Sequence, residues 1–86
     1  MIIEAGKLEK KLCNTLQHQY VEIGQIACSA EINCRLASLG ILPKQLVEVI
    51  RITKRGAVLI KVNEMLLALS TGIAQQIYVK DISNDD

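Results

Sequence analysis

Hydrophobic and polar positions recur with two different periods along the chain, and each change of period marks a new element. Near the start, Ala5, Leu8, Leu12 and Leu16 fall at i, i+3, i+7 and i+11 between Glu4, Lys7, Glu9, Lys10 and Lys11. That spacing gathers the apolar side chains on one helical face. It predicts an amphipathic helix over residues 4–16, too short to stand alone and therefore packed on the domain or on a partner. From residue 21 the period shortens. Val21, Ile23 and Ile26 predict a strand over 21–28, and Ser29 is a suitable N-cap for a helix carrying Ile32, Leu36 and Leu39 on one stripe. Gly40 is placed to take a left-handed C′ conformation, and Pro43 stops the helix from continuing. At 100° per residue Cys34 projects away from the stripe, toward solvent.

The remainder reads as sheet. Residues 46–53 and 57–62 are rich in Val and Ile, and Lys54-Arg55-Gly56 connects them as a hairpin. Val58, Ile60 and Val62 share one face. Asn63-Glu64 is a two-residue turn into 65–70, Ser70-Thr71-Gly72 breaks the sheet, and Ile77-Tyr78-Val79 closes it. Short strands with turn signals at this frequency, on a chain this small, predict a barrel rather than a sandwich. The organisation expected is a helical extension over 1–20, one domain over 21–80 and an acidic tail over 81–86.

Composition narrows the function. Half of the 86 residues are hydrophobic, yet there is no Phe or Trp and only two Tyr, so the core is aliphatic and no aromatic platform for stacked bases exists. A net charge of +1 is weak attraction for phosphates, which argues against nucleic acid as a partner. The longest unbroken aliphatic run, residues 65–69, falls far short of the roughly 20 residues of a membrane span, and the N-terminus lacks a signal-peptide layout. No membrane insertion is expected, and the location expected is cytoplasmic, with Cys13, Cys28 and Cys34 kept as free thiols.

Catalytic chemistry has little to work with. The single histidine, His18, leaves the serines and threonines without a triad, and the glycines at 6, 24, 40, 56 and 72 are isolated rather than gathered into a phosphate cradle. No catalytic residue and no cofactor are expected. Cys28 and Cys34 are separated by five residues, unlike the closer pairs of zinc modules. They read as a small buried hydrophobe and a surface thiol. The alternative is a transition-metal chaperone or sensor in which Cys28 and Cys34, with Cys13 or His18, hold Fe(II) or another transition metal across a homodimer.

The stretch from Met65 to Leu69 carries more apolar residues than one sheet face can use. If alternate positions enter the core, Leu66 and Ala68 face the other way. Either the N-terminal helix covers them through Leu8, Leu12 and Leu16, or they form an exposed patch for a partner or for self-association.

RLASLGILP at 35–43, VEVIR at 47–51, the hairpin at 54–56 and MLLALSTGIAQQIYV at 65–79 together resemble the FeoA family, small cytosolic accessory proteins of bacterial ferrous iron uptake. The resemblance spans about residues 21–80. It implies an all-β fold with one short helix, a five-stranded SH3-like barrel here preceded by the amphipathic helix. It also implies a non-enzymatic role beside a membrane iron permease that carries a cytosolic GTP-binding domain. The same domain occurs as an appendage of metal-responsive repressors, for whose DNA-binding part 86 residues leave no room. Members of the family commonly follow the proline with glycine, whereas Lys44 follows Pro43 here. A type I turn, open to most residues, is the expected accommodation. The expected partner-binding residues are Lys54 and Arg55 at the hairpin tip, Leu66 and Ala68 on the strand, and Lys44 in the turn.

Overall fold

The computed structural model describes residues 9–82. The elements run β1 (Lys10–Lys11), a 3-10 turn (Leu12–Asn14), β2 (Tyr20–Ile26), α1 (Ala30–Ser38), β3 (Leu46–Ile52), β4 (Val58–Val62), β5 (Met65–Leu69), α2 (Thr71–Ala74) and β6 (Ile77–Asp81). All strand pairings are antiparallel, and they form one six-stranded sheet in the order β1-β6-β2-β3-β4-β5. The alternation read from the sequence is realised on its inner face. Val21 and Ile23, Val47 and Val49, Val58, Ile60 and Val62, Leu69, and Ile77 and Val79 are all buried there, joined by Leu36, Ile41, Leu12 and Ala74.

Turn chemistry fixes the register. Thr53 N donates to Ala57 O, and Gly56, at φ 98°, closes the three-residue connection of Lys54, Arg55 and Gly56. Asn63 and Glu64 have φ of 52° and 67°, the two left-handed residues of a type I′ turn between β4 and β5. Two register shifts, between Ile23 and Gln25 and between Val49 and Arg51, are bulges that increase the twist and let the sheet curl over its core. At the first bulge the Glu9 carboxylate lies over Gly24 so closely that a Cβ there would overlap it. Ser29 caps α1 by accepting from Ile32 N, and Gly40 at φ 94° follows its C-cap, as the sequence indicates. Ser70 starts α2 the same way through Ile73 N, making a one-turn helix where the sequence shows only a break.

Three expectations are corrected. First, within the described residues the N-terminal helix does not form, and the expected residues 4–8 lie outside them. Lys10 and Lys11 pair with Val79 and Tyr78 of β6, and Leu12 then turns wholly into the core. A short amphipathic helix is marginal in water, whereas the edge of β6 offers backbone partners and burial of Leu12 contributes about 2 kcal/mol. The Thr15 hydroxyl donates to Leu12 O at 2.7 Å and locks the turn, while Lys10 and Gln19 both reach the Asp81 carboxylate at 3.1 and 2.8 Å. Leu16, expected on the packing face, is 70% exposed.

Second, the sheet has six strands rather than five, and it is open. Among the described residues β1 and β5 each have one neighbour, so closure into a barrel does not remove every edge. The curved, SH3-like arrangement is nonetheless the one expected, mostly β with α1 as its main helix.

Third, the turn after Pro43 is type II. Gln45 N donates to Leu42 O at 3.0 Å, and Lys44 sits at φ 76°. The turn is pinned to β2, with Lys44 N donating to Ile23 O and Ile23 N donating to Gln45 O. These two bonds hold the left-handed residue in place against a local cost of about 1–2 kcal/mol. Lys44→Gly should therefore raise the unfolding free energy by about 0.5–1 kcal/mol, the relief of that cost less the added freedom of glycine in the unfolded chain. Lys44→Val should lower it, and urea unfolding midpoints measure both.

Candidate functional site

The outer face of the sheet is half apolar where solvent would favour polar residues. Its register places Tyr20, Glu48, Lys61 and Leu66 in one row across β2, β3, β4 and β5. Arg51, Leu59 and Ala68 form a second row, and Leu46 lies beside Glu22. Tyr20, Leu46 and Leu66 are 52%, 49% and 61% exposed. Three inter-strand spacings, about 14 Å, separate Tyr20 from Leu66, and Glu48 and Lys61 stand between them, so the apolar residues flank a charged centre. A shallow groove of about 200 Å³ runs beside it, lined by Tyr20, Leu46, Glu48, Lys61, Asn63 and Glu64. A smaller apolar one of about 100 Å³ lies between Arg51, Leu59, Ala68 and Leu69.

The five residues expected to touch a partner are distributed unevenly. Leu66 and Ala68 face outward together, and nothing among the described residues covers them. Lys54 and Arg55 are exposed at the β3–β4 tip, close to the Leu69 end of β5, because Thr71 Oγ1 donates to Arg55 O at 3.0 Å. Lys44 lies at the other end of β3, against β2, and does not join them. The ion pairs among the described residues are Lys10–Asp81 and Glu31–Arg35, so Arg51, Lys54, Arg55 and Lys61 carry unpaired positive charge there.

Tyr20 and Leu46 were not among the expected site residues, yet they extend the face. The signal is present in the sequence. Each sits one position out of step with a buried pair, Val21 and Ile23 or Val47 and Val49, at a place where the period of two calls for a polar residue.

The candidate metal ligands stand apart. Cys28 borders a groove of about 580 Å³ between the start of α1 and α2, together with Ile32, Ile73 and Gln76. Cys34 is exposed on α1, where the helical phase put it. Cys13 packs on the core in the 3-10 turn, near Gly56. His18 is exposed at φ 68°, with its backbone N donating to Val49 O. Among the described residues no three His, Cys, Asp or Glu side chains are grouped as metal ligands. Burial pushes the Cys28 thiol above its ordinary pKa. Since the thiolate is the reactive form and Cys34 is the more exposed of the two, Cys34 should be alkylated faster than Cys28 at pH 8, read by mass spectrometry of the labelled sites.

The chain matches the FeoA domain over residues 10–81, nearly all of the described chain and most of the sequence. It belongs to the FeoA family. Solved FeoA structures show the same fold. The FeoA protein of Chlorobium tepidum is 24% identical, superposes with a TM-score of 0.79, and is covered over 74% of its length by 90% of this chain. A second FeoA, described as an iron uptake regulatory protein, is 19% identical with a TM-score of 0.78, covering 87% of this chain and all of its own. A manganese-dependent transcriptional repressor, 16% identical, gives a TM-score of 0.79 over 91% of this chain, which spans 44% of the repressor. No curated protein matches the sequence. The FeoA match begins at Lys10, so the family domain includes β1 and the Leu12 turn, and it ends on Asp81 in β6. No described helix of this FeoA domain is long and apolar enough to cross a membrane.

Proposed function

We propose that this FeoA domain is a non-enzymatic accessory protein of bacterial ferrous iron uptake, acting in the cytoplasm on the GTP-binding region of a membrane iron permease. The observation that carries this reading is the outer sheet face. A sheet that already buries its core on one side has no folding reason to expose Tyr20 and Leu46 at one side of the other face and Leu66 with Ala68 at the opposite side, around Glu48 and Lys61. Exposed aromatic and aliphatic residues set about a polar centre are what a protein partner covers. The unpaired Arg51, Lys54, Arg55 and Lys61 on and around this face favour an acidic partner surface and speed encounter. The FeoA family's association with ferrous iron transport is what makes an iron permease the partner proposed.

Such a protein acts by preference between states. It shifts the conformational or nucleotide equilibrium of the permease only by as much as it binds one state better than the other. Immobilised cytosolic region of the permease, loaded in turn with GTP analogue and with GDP, should retain the FeoA domain more strongly in one state at micromolar concentration. Absence of retention in both states would refute the reading.

A further inference from the structure

The free edge of β5 has a property that the outer face lacks, since it matches itself. The turn at Asn63-Glu64 makes Val62 and Met65 its closing, hydrogen-bonded pair. Alternation then directs the backbone groups of Met65, Leu67 and Leu69 toward β4, and those of Leu66 and Ala68 outward. β5 has only β4 as a neighbour among the described residues. The edge bears no charge, proline or bulge from Met65 to Leu69, the devices that normally prevent strand addition.

We propose that β5 is a homodimerisation edge, pairing antiparallel with β5 of a second copy about a two-fold axis through Leu67. In that register Leu66 faces Ala68 of the second copy, and the reverse, so the four inter-chain bonds come from the four outward-directed residues. The outer-face fit is large against small on both sides of the axis. Met65, now 39% exposed, comes to lie beside Leu69 of the other copy. One step further out, Glu64 meets Ser70. Ser70 adjoins Thr71, whose hydroxyl holds the Arg55 carbonyl, so the exposed acidic end of each β5 lies at the basic hairpin tip of the other. This charge complementarity selects a second copy over an unrelated strand. The near-neutral chain offers little long-range repulsion to oppose it. The axis is perpendicular to the sheet, and the two outer faces join into one surface. The inference stands independently of the permease as partner.

Five residues of strand bury less than a standard interface, so the dimer is concentration-dependent, with a dissociation constant of about 100 µM. Sedimentation equilibrium of the full chain from about 10 µM to 1 mM should show the mass rising from 9.5 kDa toward twice that value. Ala68→Pro removes an outward N–H on an edge strand, where proline is tolerated, and should leave a monomer throughout. Glu64→Lys and Arg55→Glu should each weaken the dimer about fivefold, and the double variant should recover it. A wild-type chain that is monomeric at 1 mM overturns the proposal, as does a dimer that persists in folded Ala68→Pro protein. Should that variant unfold, the charge swap decides, and a double variant no tighter than the single ones overturns the register.

Discussion

Leu12→Ala should lower the unfolding free energy by about 3 kcal/mol, whereas Leu16→Ala, four residues on, should change it by less than about 0.5 kcal/mol. The two leucines lie on one face of the amphipathic pattern and would respond alike if that pattern were a helix. In the structure Leu12 is fully buried beneath α2 and β6, and Leu16 stands in solvent. Removing three carbons from Leu12 leaves a cavity that the neighbouring Ile and Val side chains, held by the sheet, collapse into only partly. A loss of this size is a large share of the stability of a domain of this length. Urea unfolding measures it. Equal effects at the two positions would restore the helical reading.

The contrast shows where the sequence is legible. From Tyr20 onward the strands declare themselves by period two, except the wholly apolar run of β5, and each turn by its own chemistry, Gly56 at φ 98° in one hairpin and Asn63-Glu64 in the next. Ser29, Gly40 and Pro43 bracket α1. The start of the chain misleads because Leu8, Leu12 and Leu16 satisfy a helical spacing, and spacing cannot report the unfilled edge of β6 some seventy residues away. Tertiary pairing overrides a weak local preference there. The turn at Lys44 misleads for a related reason. The local rule disfavours a side chain at φ 76°, and the two hydrogen bonds to Ile23 that impose it are long-range. The proposed docking face is legible at Leu66 and Ala68, where apolar residues are plainly in excess, and missed at Tyr20 and Leu46. There, a single apolar residue on each strand's polar register becomes a patch only once β2 and β3 are set side by side with β4 and β5.

The double variant Tyr20→Ala, Leu66→Asp should weaken binding to the permease's cytosolic region by several hundred-fold, the sum of the two losses at about 1.4 kcal/mol per factor of ten, while leaving the unfolding midpoint nearly unchanged. Tyr20 offers a rigid aromatic surface with a hydrogen-bonding tip, the residue type over-represented among binding hot spots, and its truncation costs about 2 kcal/mol at the centre of an interface. Aspartate at 66 places an uncompensated charge in what becomes a desolvated contact and contributes about 1–2 kcal/mol more. Neither side chain supports the core, since both stand on the solvent side of the sheet. Cys34→Ser, on the exposed side of α1, should leave affinity unchanged. Calorimetric titration of the two variants against the unaltered chain reads these affinities.

The claim at the centre of this account is that the outer sheet face, and not the groove beside α1 and α2, meets the partner. Amide resonances of the labelled chain, followed during titration with the permease's soluble cytosolic region, test it directly. Shifts are expected to gather on Tyr20, Leu46, Glu48, Lys61, Leu66 and Ala68 and on the hairpin tip. Shifts confined to Cys28, Ile32, Ile73 and Gln76 with the sheet unmoved, or none at several times the expected micromolar dissociation constant, would contradict it.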